Sequence, residues 1–351
     1  MILPGSFIAS LLVLILSLIC LGSWPSLFKS VARKWRFELW YCDFAVGFVL
    51  AALVAALTLG SLGQDGFSFI DDFSLAGKKQ DAFALVAGGV FNLGNMLFVA
   101  AISIAGMTSA APVALGIAVI IGALTGPLVN APSTPLLRFS GAAVLLVAVI
   151  GGSICYRRWA LARLVEAMQA GRTKSTRKVV SSKPIVLAIM GGLLIGASIP
   201  LMQLGNDLEI RLGPYSFSFV FGLGILLSTF AYNLFFMNLP VQGKPVDVAD
   251  YFRAKISSHF PGLAGGAVAL IGFLGSLIAL RGEGAAQLAP KLSYPIAQGA
   301  AFIAMLWGVF YWKEYESSDS RVNSWVVVTI LFFLGGIALL AFGQISPVAA
   351  K

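Results

Sequence analysis

The chain has 351 residues, 58% of them hydrophobic and only 11% charged, with a formal net charge of +9. An ordinary soluble domain carries about 25% charged residues, so this composition excludes a water-soluble globule and points to a membrane protein. The basic excess then reads as a topology signal, with no nucleic-acid partner implied.

Cutting the chain at its charged residues leaves nine uncharged blocks of 18 or more residues: 1–28, 44–64, 82–137, 139–156, 184–206, 212–243, 260–280, 292–312 and 322–350. A helix crosses a hydrocarbon core of about 30 Å with roughly 20 residues. The block 82–137 is long enough for two helices and is broken between Gly106 and Pro112, so ten spans are expected. The blocks are continuously apolar and lack the alternation of outer-membrane strands, which makes the fold class all-α. No basic residue precedes the first block, whose apolar stretch exceeds a signal-peptide core, so it reads as a retained helix.

With ten spans, the loops 29–43, 157–183, 244–259 and 313–321 share one side and hold 17 of the 24 Lys and Arg. The positive-inside rule makes that side cytoplasmic and places both termini outside, in an inner or plasma membrane. The run "RTKSTRKVV" (172–180) suits either a solvated linker or a contact with anionic lipid. Cys20, Cys42 and Cys155 have no metal or redox spacing and suggest no disulfide framework. No cofactor is expected.

The linker divides the chain into residues 1–156 and 184–351. Ala87-Gly88-Gly89 recurs as Ala264-Gly265-Gly266, 177 positions later; Trp24-Pro25 is answered by Ile199-Pro200 after 175, and Pro112 by Pro290 after 178. Five spans per half is odd, so the second half enters the membrane inverted. Inverted repeats are a transporter signature, with the cargo site near the midplane.

In "AGGVFNLGNM" (87–96), two amides and three glycines interrupt an apolar span. Gly88, Asn92, Asn95 and Ser103 share one helical face. An unpaired carboxamide in hydrocarbon costs several kcal/mol, on the order of 4 to 8 in the least polar reference solvent. Each amide therefore faces a neighbouring helix or a cargo pocket.

Three stretches, "LGSWPSLFKSVARKWRFELWYCDFAVGFVLAALVAALTLGSLG", "GGVFNLGNMLFVAAISIAGMTSAAPVALGIAVIIG" and "LWGVFYWKEY", resemble the ureide permeases, a branch of the drug/metabolite transporter superfamily. Trp24-Pro25, Gly94-Asn95 and Glu314-Tyr315 are the most recognisable pairs. The resemblance implies a ten-helix carrier of two inverted five-helix repeats that takes up allantoin and related ureides, or nucleobases such as uracil, with protons.

Such cargo is flat, neutral and rich in N–H and C=O groups, so its site should combine carboxamides with aromatic faces. Asn92, Asn95, Gln203, Asn206, Asn233, Tyr294 and Gln298 supply donors and acceptors inside spans, and Trp24 and Trp307 supply faces. Trp24 equally suits an interfacial anchor and Trp307 core packing, while Tyr311 and Trp312 fit an aromatic belt. Tyr294 and Gln298 stand four apart beside Pro295, which makes "KLSYPIAQG" (291–299) the second-half counterpart. Lys291 can bind a cargo carbonyl or snorkel.

No acid lies mid-span; the candidates for ion coupling are Asp43, Glu283 and Glu314 at span ends. An uncoupled facilitator fits as well. His259, the only histidine, is expected in a loop before Pro261, as a structural residue or a pH sensor. A sugar carrier of the same superfamily is the second reading, since amides and an aromatic also suit hydroxyl-rich rings. An intramembrane enzyme would need a metal-binding pair, paired membrane acids or a Ser/His set, and the sequence contains none of these.

Overall fold

The computed structural model describes residues 1–63, 65–126, 134–170, 180–206, 212–279, 281, 299–316 and 320–345. Among these residues there are helices and turns but no strand. The principal helices are α1 (Phe7–Val31), α2 (Phe37–Leu57), α3 (Lys78–Ala105), α4 (Met107–Thr125), α5 (Pro135–Gln169), α6 (Lys183–Asn206), α7 (Pro214–Asn238), α8 (Ile256–Ala279), α9 (Ala300–Leu306, continued by a wider turn at Trp307–Tyr311) and α10 (Ser320–Ile345). All but α9 are long and apolar enough to cross a membrane, nine among the described residues. The span expected at 292–312 is described only from Gly299 onward.

Local chemistry sets several of the ends. The Ser6 side chain accepts a hydrogen bond from Ala9 N at 3.2 Å and caps α1, whose last turn carries Lys29. Pro135 and Pro214 open α5 and α7, where a missing N–H costs nothing. Between α3 and α4 the chain turns at Gly106, with φ +81°, a conformation that favours glycine. This is the break expected between Gly106 and Pro112; Pro112 itself lies inside α4.

Charged residues mark where the chain leaves hydrocarbon, but helices continue past them. The expected loop 29–43 shrinks to the few residues between Val31 and Phe37, which puts Asp43 inside α2. His259 likewise belongs to α8, not to a loop. Helix α5 runs on to Gln169 through the first part of the expected linker. At 1.5 Å per residue its length is roughly 52 Å, more than the hydrocarbon needs, so Arg157, Arg158 and Arg163 ride on a helical extension.

Helices α1–α4 and α6–α9 interleave, while α5 and α10 pack along each other at the side. The principal neighbours are α3 with α6 and α7, α8 with α1 and α2, α4 with α6, α1 with α9, and α2 with α7. Glycines set the closest crossings. A methyl group built on Gly47 would strike the Leu263 carbonyl, and one on Gly266 the Phe44 carbonyl, where α2 crosses α8. On the other flank, one on Gly224 would strike the Leu85 carbonyl and one on Gly88 the Phe221 carbonyl, where α7 crosses α3. Gly94 similarly lies against Gly191 O and Ile195 N of α6, and Gly272 against Ser17 O and Leu21 N of α1.

Candidate functional site

Where α1, α2 and α3 converge, aromatic rings gather around one amide. Trp24 precedes the helix-bending Pro25 and is buried. From α2 come Trp40, Tyr41 and Phe44, at helical spacing, so that three rings project toward the same interior. The Trp24 and Trp40 rings are stacked at 6.3 Å with 19° between planes. Phe44 lies 4.9 Å from Trp24 and 5.3 Å from Trp40, and Phe98 of α3 meets Trp24 edge-on at 6.2 Å. Asn95 Nδ2 donates to Tyr41 Oη at 2.9 Å, with both residues buried. The cluster therefore pairs flat apolar faces with one amide and one phenol.

The other expected residues are distributed around it. Asn92, one turn before Asn95, turns to a different neighbour: its Nδ2 donates to Ile225 O (3.0 Å), Ser228 Oγ (2.8 Å) and Thr229 Oγ1 (3.0 Å) of α7. The face proposed for Gly88, Asn92, Asn95 and Ser103 thus divides, Gly88 and Asn92 meeting α7 and Asn95 meeting α2, while Ser103 Oγ donates to Ala100 O in its own helix. Asn233 Nδ2 of α7 donates to Glu38 O and to Cys42 Sγ, both at 2.9 Å. Trp307 Nε1 donates to Ser23 Oγ at 2.8 Å, tying α9 to α1 one residue before Trp24, and Trp312 Nε1 donates to Ser26 Oγ at 2.7 Å. Tyr311 is exposed. Gln203 is half-buried near the end of α6, its Oε1 without a partner. Lys291, Tyr294, Gln298 and Glu283 lie outside the described residues, as does the side chain of Asn206.

Two of the acidic candidates lie at the same end of the bundle. Asp43 is 2% exposed and accepts a hydrogen bond from Tyr251 Oη at 2.6 Å, and His259 Nδ1 lies 2.9 Å from its Oδ1. Tyr251 sits on the short helix Val248–Arg253, where burial and then the bond to Asp43 and its charge push the phenol above its ordinary range. Glu314 accepts from Lys29 Nζ (2.7 Å), Met107 N (2.8 Å), Thr108 N (2.8 Å) and Thr108 Oγ1 (2.7 Å). A carboxylate at the positive end of a helix is favourable twice over, through the unpaired N–H groups and the dipole. This end also holds a cavity of about 600 Å³ lined by Lys29, Arg33, Ser103, Gly106 and Arg163. At the opposite end a cavity of about 430 Å³ is lined by Asp65, Asp72, Gly213 and Arg281.

Trp40, Tyr41, Phe44 and Phe98 were not among the residues expected from sequence. The signal was "WYCDF" (40–44): the charged Asp43 assigned Trp40 and Tyr41 to a loop and left Phe44 at the start of a span, although Phe44 stands four residues after Trp40 and three after Tyr41, neighbours on one helix.

The family described as ureide permease matches residues 40–189, a stretch that opens on Trp40 and contains Asn92 and Asn95. Ureide permease 5 of Arabidopsis thaliana is 23% identical over 391 residues, 94% of this chain and 93% of that one. Ureide permease 4 of the same plant is 24% identical over 387 residues, covering 93% and 95%. The chain is thus similar to ureide permeases over nearly its whole length and matches their family model over residues 40–189. Together with the nine long apolar helices among the described residues, this similarity makes it an integral membrane transporter, not an enzyme. Transmembrane protein 144 homolog B of Dictyostelium discoideum is 29% identical over 161 residues, 46% of this chain and 40% of that one. A solved crystal structure of a protein 14% identical to this chain shares its fold, with a TM-score of 0.51 over 95% of this chain and 96% of that one.

Proposed function

We propose that the chain carries small, neutral, nitrogen-rich molecules across a membrane by alternating access, namely ureides such as allantoin or nucleobases such as uracil. The observation that carries this reading is the Asn95–Tyr41 pair inside the rings of Trp24, Trp40, Phe44 and Phe98. Flat faces suit a planar cargo, and an amide beside a phenol suits its alternating N–H and C=O edge. The names of the full-length relatives favour this cargo over sugars.

The carrier reading includes two inverted five-helix repeats, residues 1–156 and 184–351 joined by the linker 157–183, as in the drug/metabolite transporter fold. Its support is the pattern of crossings. Phe44 and Gly47 recur as Phe221 and Gly224 after 177 residues, and Leu85 and Gly88 as Leu263 and Gly266 after 178, one residue out of register with the Gly88–Gly265 match read from sequence. Each set makes the same two glycine-to-carbonyl contacts with the other half of the chain. Exchanging each helix with its counterpart five places on also turns the α3–α6 contact into α8–α1 and the α4–α6 contact into α9–α1. The end with Lys29 and Glu314 is assigned to the cytoplasm, leaving both termini outside, in an inner or plasma membrane. Asp43 and Glu314 are the described candidates for proton coupling.

Thermal unfolding of the purified protein with allantoin, uracil or rhamnose tests the cargo, because a ligand of the folded form alone raises its apparent stability. Allantoin or uracil should raise the midpoint, and Asn95→Ala should abolish that rise while the protein stays folded. A rise with rhamnose alone, or full affinity in the Asn95 variant, would refute the assignment.

A further inference from the structure

Trp40 is 0% exposed, yet its indole N–H has no hydrogen-bond partner. Tryptophan can only donate, and a donor sealed from water without an acceptor is disfavoured unless something else occupies it. Two other buried indole N–H groups are differently placed, that of Trp35 beside the Asp43 carboxyl and that of Trp159 without a partner. They lie at one end of the bundle, Trp35 edge-on to His259 and Trp159 beside Arg163. Trp40 alone of the three belongs to the central cluster, stacked with Trp24 and Phe44 and adjoining the tyrosine that Asn95 holds.

Its placement is specific. The far edge of the indole lies over Gly265 of α8, where a methyl group would come within 2.7 Å of Cζ2, so glycine there lets the ring lie flat against the neighbouring helix. Phe28 packs against it at 5.3 Å and 61°. A ring seated this tightly has its N–H direction fixed before cargo arrives, which is what a selective site requires.

We infer that the indole N–H of Trp40 is the donor that a cargo carbonyl takes up, making Trp40 a specificity-determining residue of the transporter. The inference rests on reading the Trp24–Trp40–Asn95 cluster as the cargo site. Within that site it completes the chemistry: Asn95 Nδ2 is held by Tyr41, and an amide oxygen can accept a cargo N–H while Trp40 donates to the adjacent C=O. Apolar rings without an N–H or C=O edge would leave the indole unsatisfied and be rejected.

Trp40→Phe keeps an aromatic face and removes only the donor and part of the ring. Titrated with uracil and with allantoin, it should bind whichever of them the unaltered protein binds about tenfold more weakly, the usual effect of one neutral hydrogen bond. An unchanged Kd would overturn the role of Trp40 and leave the cargo site standing. If the unaltered protein binds neither compound, the cargo reading falls and this inference with it. A second measurement avoids any dependence on the variant's folding: with ¹⁵N-tryptophan placed at position 40 alone, the indole N–H resonance should move downfield when the bound compound is added. A resonance that stays in place at saturation would overturn the proposal.

Discussion

Glu314 and Lys29 form an ion pair of 2.7 Å between residues 285 positions apart in sequence, joining the end of α1 to the turn after α9. The carboxylate is also the anion at the start of α4, through Met107 N and Thr108 N. Glu314→Gln should lower stability by about 2 kcal/mol, the scale of a hydrogen bond to a charged group. Reversing the pair, with Lys29→Glu and Glu314→Lys together, should fail to restore it, because a cation would face the α4 N-terminus. Thermal unfolding in lipid nanodiscs checks both, and full recovery in the reversed pair would show that the helix-end role is absent.

Neighbouring glycines on α3 should respond very differently to a single methyl group. On Gly88 it would collide with the Phe221 backbone, whereas on Gly89 its nearest neighbour is Ser228 Cβ at 3.8 Å. Gly88→Ala should therefore destabilise by about 1 to 3 kcal/mol, as overpacking does, and Gly89→Ala should be neutral. Gly266→Ala should behave as Gly88→Ala, since it meets the Phe44 carbonyl. Denaturation midpoints of the three variants decide.

Asn92 and Asn95 should separate by phenotype. Because Asn92 Nδ2 is engaged by three oxygens of α7, Asn92→Ala should cost stability, about 1 kcal/mol for such an interhelical bond, while the folded fraction keeps its cargo affinity. Binding and unfolding measured on one preparation check this, and lost affinity with unchanged stability would move Asn92 into the cargo site.

Alkaline pH should weaken the fold through two phenols outside the spans. Burial, followed by Asp43, raises the Tyr251 phenol above its ordinary value of 10, and burial, followed by Glu314, raises that of Tyr315. A group whose pKa is raised by folding contributes stability that is full below the unfolded pKa and declines as pH climbs toward the folded one. The midpoint should thus fall above about pH 10, less steeply in Tyr251→Phe and in Tyr315→Phe than in the unaltered protein. Equal slopes would contradict the shifts.

Nine spans among the described residues were legible in the sequence because hydrocarbon admits few charges, and the turn at Gly106 because glycine and proline there interrupt a block too long for one helix. Helix ends were not. Arg157 and Arg158 ride an α5 extended past the hydrocarbon, and Asp43 is accommodated within α2 by Tyr251 and His259 from distant segments. Treating Asp43 as a loop residue hid Trp40 and Tyr41 and with them their helical neighbour Phe44. Helical spacing placed Asn92 and Asn95 on one face, but only packing decides that α7 takes the first and α2 the second.

The matched glycine seats, Gly47 with Gly266 on one flank and Gly224 with Gly88 on the other, give the bundle two pivots of like shape. In the alternating-access cycle proposed above, tilting about either pivot would disturb comparable backbone contacts, so the two flanks would resist movement alike.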